Sequence, residues 1–345
     1  MVHFIYGRTG SGKSSFIYEK ASATPRGKHI YVIVPDREAV TAESLFAKAD
    51  NAGDIDVVTF SRLCNFVFRK YGGICENYIS RGAKTVMMYN TFRAVSDMLL
   101  SYKGVPGGDV STAKKLVAMR SELHKNAVSP HALSSAVKDV PDETGKKISD
   151  FSFIFSAFDA ELSSRFEDPD GMIEKMNKKL SENDFFEGTD VYIDSFTSFS
   201  KEQIKTLKMV MRGAENVYIA LPYIPCEDEN IPCFSSVFNT DKKLRAAARD
   251  VKKEIGEDVF LAAGKRAENT ELSFLSSNLY SEPDGVLAVY NDETEHIRII
   301  GASDAFAESE AICLDICKKI RGGARYRDFG IIVRNISEYT GIIDA

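Results

Sequence analysis

The chain has 345 residues, 44% of them hydrophobic, and a formal net charge of −6. That is room for two or three domains with a sizeable core. The acidic balance argues against coating nucleic acid through bulk charge, although 44 Lys and Arg remain to line a local basic groove. No stretch approaches the roughly 20 apolar residues of a membrane span.

The first apolar run, Val2 to Tyr6, reads as a short strand and ends at once in Gly7-Arg8, unlike a signal peptide. Lys13 to Ala21 reads as a helix, His29 to Val34 as a strand buried on both faces, and Glu38 to Ala49 as a helix. Asp56 to Phe60 is a third strand, and Ser61 is the expected cap of a helix that ends at Gly72-Gly73. Alternating strands and helices predict a parallel α/β sheet.

From Arg81 to Asn183 the strand signal stops. Arg81 to Tyr102, Ser111 to Asn126, a short piece after Pro130, and Gly145 to Phe166 read as helices. The last carries Ile148, Phe151, Phe155, Phe158 and Leu162 at spacings of three and four, the mark of a core-facing stripe. The sheet resumes with Val191 to Asp194, then a helix at Lys201 to Arg212 and a strand at Val217 to Leu221. Pro222 to Thr240 reads as irregular loop and Asp241 to Ile255 as helix. Strands are expected at Val286 to Tyr290, Ile297 to Gly301 and Phe329 to Arg334, with a helix at Asp304 to Arg321. The expected division is one α/β domain in two segments (1–80 and 184–290), a helical insertion (81–183), and the start of a second, uncompleted α/β domain (291–345).

Gly7-Arg8-Thr9-Gly10-Ser11-Gly12-Lys13-Ser14 fits the P-loop pattern between a strand and a helix. Its glycines let backbone N–H groups curl around phosphate, and the following helix points its positive end at them. Lys13 would reach the β- and γ-phosphates, and the Ser14 hydroxyl would ligate Mg²⁺. Asp194, at the end of a strand, is the candidate second magnesium ligand. The expected cofactors are therefore ATP and Mg²⁺. Six Cys and five His form no paired zinc spacing: Cys64 and Cys75 stand alone, Cys226 and Cys233 flank a Pro-containing loop, and Cys313 and Cys317 share one helix. Reduced thiols in a cytoplasmic protein are the plain reading.

Val57-Val58-Thr59-Phe60-Ser61-Arg62-Leu63, followed by Phe66 to Gly72, resembles the "TF-x-x-L … R-x-x-G" motif of superfamily 1A helicases. Arg325 to Arg334 resembles the segment that opens their second motor domain. The combination "IYGRTGSGKS", "VPDRE", "TFSRL" and "VYIDSFTSFS" is similar to the B subunits of the bacterial AddAB (RexAB) helicase–nucleases, from residue 2 to about 335. That resemblance implies a RecA-like P-loop NTPase fold with a helical insertion, and a role in processing double-strand breaks for recombination. It implies DNA as a partner, both the duplex end and the single-stranded 3′ strand, together with an A subunit. The family's nuclease and its iron–sulfur cysteines lie outside this sequence, so no DNA cleavage is expected here.

Carried over by motif, Thr59, Phe60, Ser61 and Arg62 are the DNA-contacting candidates. A hydroxyl and a helix start suit phosphate, and Phe60 is either a base-stacking ring or core. Arg334 sits where active relatives place an Arg that reaches the γ-phosphate; the alternative is an idle strand-end side chain. Ser195 stands where hydrolysing helicases carry Glu, Pro222-Tyr223 where they carry a sensor, and residue 7 leaves no room for an adenine-reading Gln motif. Binding with slow or no hydrolysis is the expectation. Lys201, Lys205 and Lys208, and the Lys242-Lys243 and Arg245 run, read as solvated faces. A stand-alone kinase would give "TFSRL" and "YRDFGIIVR" no role, and a scaffold with a vestigial loop would not need Lys13 and Ser14.

Overall fold

The computed structural model describes residues 1–74, 77–103, 110–228, 231–261, 269–279 and 288–343. They form a first unit, Met1–Glu268, and a second built from Asn269–Leu279 and Pro283–Ala345. Cys75 and the Pro106-Gly107-Gly108 break fall outside the described residues.

The first unit opens with β1 (Val2–Tyr6), α1 (Lys13–Ser22), β2 (Ile30–Ile33), α2 (Ala39–Phe46), β3 (Ile55–Val58) and α3 (Phe60–Tyr71). A helical block follows: α4 (Arg81–Val95), α5 (Val110–Lys125), α6 (Pro130–Ala136), α7 (Asp142–Arg165) and α8 (Met172–Glu182). The chain then adds β4 (Asp190–Ile193), α9 (Lys201–Gly213), β5 (Asn216–Leu221), α10 (Ser235–Asp250) and β6 (Val259–Phe260). The strands lie in the order β3-β2-β4-β5-β1-β6, and every pairing is parallel.

Side chains alternate across a strand, so each strand feeds two cores. Phe4, Tyr6, Tyr31, Ile33, Val191, Ile193, Ile219 and Leu221 point to one face, where α3, α8, α9 and α10 supply Leu63, Met176, Leu207 and Leu244. Ile5, Ile30, Val32, Tyr192 and Ala220 point to the other, under Ile17 and Ala21 of α1 and Phe46 of α2. Two covered faces explain why the strands read as continuous apolar runs. A third core lies within the helical block, where Phe155, Phe158 and Leu162 of α7 meet Met88, Phe92 and Leu116. The aromatic stripe of the sequence is therefore packing. Helix α8, which is not among the helices expected from periodicity, carries Met176 and Leu180 into the sheet's own core.

Buried polar groups in the block find partners. Asp150 accepts from the Leu100, Ser101 and Tyr102 N–H groups at 2.7, 2.7 and 3.1 Å, holding the chain after α4. Lys84, also buried, reaches Asp168 at 2.8 Å and Asp170 at 2.5 Å.

The second unit has α11 (Thr270–Asn278) and α12 (Ala305–Arg321), the latter capped by Asp304, and no strand among its described residues. The strands expected at Ile297 to Gly301 and Phe329 to Arg334 are not formed, nor is one at 288–290 (286–287 lie outside the described residues). A strand needs a neighbour for its N–H and C=O groups, and Ile299 and Ile332 are each 98% exposed. The expected RecA-like P-loop NTPase fold of superfamily 1 type is likewise corrected. The described residues show an α/β unit with a six-stranded parallel sheet and a helical block, followed by a unit without sheet, and nothing in them establishes a RecA-like motor domain. The physical reason is that strand, glycine loop and helix in succession is a local pattern, compatible with more than one parallel α/β fold. Among the described residues no helix is long and apolar enough to cross a membrane.

Candidate functional site

In an open parallel sheet, loops at the carboxyl ends of the strands gather on one edge, where ligands bind. Register decides which residues meet there. Tyr6 pairs with Leu221 and Ile193 with Ile219, so Gly7, Asp194 and Pro222 leave the sheet at the same edge. They open onto a cleft of about 640 Å³ lined by Thr9, Gly10, Gly12, Lys13, Ser14 and Asp194 among others.

The glycine-rich loop needs its glycines. Gly10 and Gly12 have φ of 87° and 90°, the left-handed region that side chains resist, and Gly12 is the residue immediately before α1. Gly7 is required by closeness: a Cβ there would lie 2.3 Å from Ser11 Oγ and 2.9 Å from the Leu261 carbonyl oxygen. Lys13 Nζ donates to the carbonyls of Gly7 at 2.6 Å and Arg8 at 2.9 Å, so the loop wraps around its own ammonium group. Burial holds that amine below the ordinary lysine range, and the negative charge of Asp194 pulls it partly back.

Asp194 is buried, and its Oδ1 accepts the Ser195 N–H at 2.7 Å. Ser195 has φ of 66°, unusual for a residue with a side chain. The left-handed backbone and the amide-to-carboxylate bond occur together at this strand end, features invisible in the sequence. Arg8 points away from the cleft chemistry: it forms an ion pair with the fully buried Asp228 at 2.6 Å and lies over the Phe234 ring. Arg37 and Glu38, in the turn after β2, and Thr197 also line the cleft, although sequence spacing did not nominate them. The signal for Arg37 and Glu38 was available in principle, since β2 pairs in parallel beside β4 and ends at the same edge.

The other nominated residues lie elsewhere. Thr59, not Ser61, caps α3, its hydroxyl accepting the Arg62 N–H at 3.3 Å. The expectation of a Ser61 cap is corrected: the helix begins at Phe60, so Ser61 already lies within its first turn, exposed. Phe60 is buried against Phe196 and Phe199, which settles its open reading as core. Arg62 is exposed and paired with Glu43. Arg334 belongs to the second unit, in a stretch without a strand. The structure therefore brings Thr9, Gly10, Gly12, Lys13, Ser14 and Asp194 onto one cleft, leaves Gly7, Arg8 and the buried Ser11 off its lining, and puts Arg62 on the exposed side of α3.

A family model described as "ADDB, N-terminal" matches residues 4–276. The chain is also 28% identical to the B subunit of the ATP-dependent helicase/deoxyribonuclease of Clostridium novyi, across 99% of this chain and 31% of that protein. Proteins of the same name from Caldanaerobacter subterraneus and Acetivibrio thermocellus are each 28% identical across 100% of this chain and 30% and 31% of their own length. The chain thus spans about a third of the curated relatives it matches. The matched family has its own N-terminal fold, which replaces the RecA-like assignment read from the motifs. By a match that covers most of its length, this chain belongs to the AddB N-terminal family.

Proposed function

We propose that this chain is the N-terminal part of a helicase–nuclease B subunit acting in DNA repair and recombination, and that its cleft binds ATP with magnesium. The family match and the relatives' names support the first part. The observation that carries the second is the loop itself: the Lys13 ammonium, held by the Gly7 and Arg8 carbonyls, and the start of α1 line one cleft with Asp194. Phosphate oxygens would replace the Gly7 and Arg8 carbonyls as partners of the Lys13 ammonium, and the α1 N-terminus adds favourable dipole. The Ser14 hydroxyl and Asp194 carboxylate are hard oxygen donors on one cleft, the donor type magnesium takes alongside phosphate and water. When bound, that ion would offset phosphate charge.

Turnover on this site is slow or absent. Ser195 lines the cleft where a water-orienting carboxylate would be needed, and its N–H is already bound to Asp194. The nucleotide then acts as a structural ligand that stabilises the unit. DNA contact runs through the exposed start of α3, where Ser61 and Arg62 face solvent, rather than through the buried Phe60. An A subunit is the proposed partner, in the cytoplasm.

Calorimetric titration with Mg·ATP, beside Lys13→Ala, tests the site. The wild type should bind and the variant should lose about 100-fold, the scale of a lost charge-assisted hydrogen bond. No binding by the wild type would sink the nucleotide reading, and fast single-turnover hydrolysis would sink the slow-turnover part. Salt-dependent binding of single-stranded DNA that survives Arg62→Ala unchanged would refute the α3 contact.

A further inference from the structure

The segment from Pro222 to Asp250, the first part of which reads as loop in the sequence, holds the glycine-rich loop at two points and the strand end before it at a third. The Tyr223 carbonyl accepts the Gly7 N–H at 3.1 Å. Asp228 holds Arg8, and its other oxygen accepts the Ile224 N–H at 2.8 Å. Asp241, buried on α10, accepts from the Tyr6 hydroxyl at 2.9 Å and the Tyr223 hydroxyl at 2.6 Å. Arg245, one turn later, bridges Asp241 and Asp258, donates to the Tyr6 oxygen at 2.6 Å, and lies 4.4 Å from the Phe4 ring centre.

Tyr6 is the last residue of β1 and Tyr223 lies just past the end of β5. One carboxylate therefore ties together the ends of the two strands between which the loop emerges. The neighbouring Thr240 hydroxyl donates to the Thr197 carbonyl at 3.1 Å, and Thr197 lines the cleft. Consecutive residues of α10 thus hold the two strand ends beside the loop and one residue of the cleft lining. A solvated face, the plain sequence reading of this helix, would need none of these bonds. A buried carboxylate is costly unless fully paired, and this one receives two hydroxyls and a guanidinium.

We propose that Asp241 is a positioning residue for the glycine-rich loop, acting through Tyr6 and Tyr223 so that the loop is preformed for a triphosphate. The inference rests on the nucleotide reading for its ligand but not for its geometry. The test uses Tyr223→Phe and Asp241→Asn, with Thr206→Val as a control. Thr206 is equally buried, bonded to Asn177, and outside the cleft.

Amide hydrogen exchange is followed on peptides covering Ile5 to Ser15, and Mg·ATP affinity by calorimetric titration. Loop exchange should speed up in Tyr223→Phe and Asp241→Asn but not in the control, and affinity should fall about tenfold, the scale of one buried hydrogen bond. Loop exchange in Tyr223→Phe equal to that of the control would overturn the proposal. Faster exchange with unchanged affinity would overturn it too. If Asp241→Asn does not fold, Tyr223→Phe decides alone. If the wild type binds no Mg·ATP, the nucleotide reading fails while the exchange comparison still decides the positioning role.

Discussion

Lys13 is a partly buried amine, and the loss of water around it means its proton is held less firmly than that of an exposed lysine. The cationic form is the one that binds phosphate. Affinity for inorganic tripolyphosphate, measured without magnesium, should therefore fall as pH rises into the alkaline range, before an ordinary lysine would titrate. Asp194→Asn removes the charge that raises this pKa, and should move the fall to still lower pH. A pH profile unchanged by that substitution would refute the electrostatic link between the two residues. Gly7 is constrained by space: Gly7→Ala should cost about 2 kcal/mol in thermal unfolding, because the new methyl meets Ser11 and the Leu261 backbone. Cys64 is fully buried, and burial pushes its thiol up to about 12, whereas Cys226, Cys233, Cys313 and Cys317 are exposed. Thiol labelling of the native protein at neutral pH should spare Cys64 and reach it only on unfolding.

Helix α3 illustrates what a motif can and cannot locate. The stretch Thr59-Phe60-Ser61-Arg62 marks a helix start, but two hydroxyls compete for the cap, and only backbone geometry selects Thr59. Thr59→Ala should cost about 1 kcal/mol of stability and Ser61→Ala under about 0.5, measured by chemical denaturation. Equal effects would contradict the assigned cap. In the helical block, Asp150 replaces missing helix partners for three consecutive amides after α4. Asp150→Ala leaves them unpaired and should destabilise the chain by about 3 kcal/mol, more than any surface change on α7. The segment before α10 shows the opposite lesson. Its Pro-containing sequence reads as irregular loop, yet its Tyr223 and Asp228, with Asp241 of α10 itself, anchor the site's most constrained loop. Side-chain contacts between residues 6 and 241 leave no trace in local spacing.

The whole sheet, the helical block and every residue lining the cleft lie in the first unit. A chain ending at Glu268 should unfold in one cooperative transition by calorimetry and keep its Mg·ATP affinity. A large loss of affinity would mean that the site needs the second unit, as the Arg334 carry-over implied. Sequence by itself determined the glycine-rich loop spacing, the parallel α/β alternation, the core role of the α7 stripe and the family resemblance, because each is written in short-range periodicity or motif. Only tertiary structure decided that Phe60 is core, that the Ser195 amide bonds Asp194, that Arg37 lines the cleft, and that α10 ties together Tyr6 and Tyr223. It also decided that the expected strands after residue 286 do not form among the described residues. Strand formation and side-chain burial depend on partners distant in the chain, and a local pattern cannot say whether those partners are there.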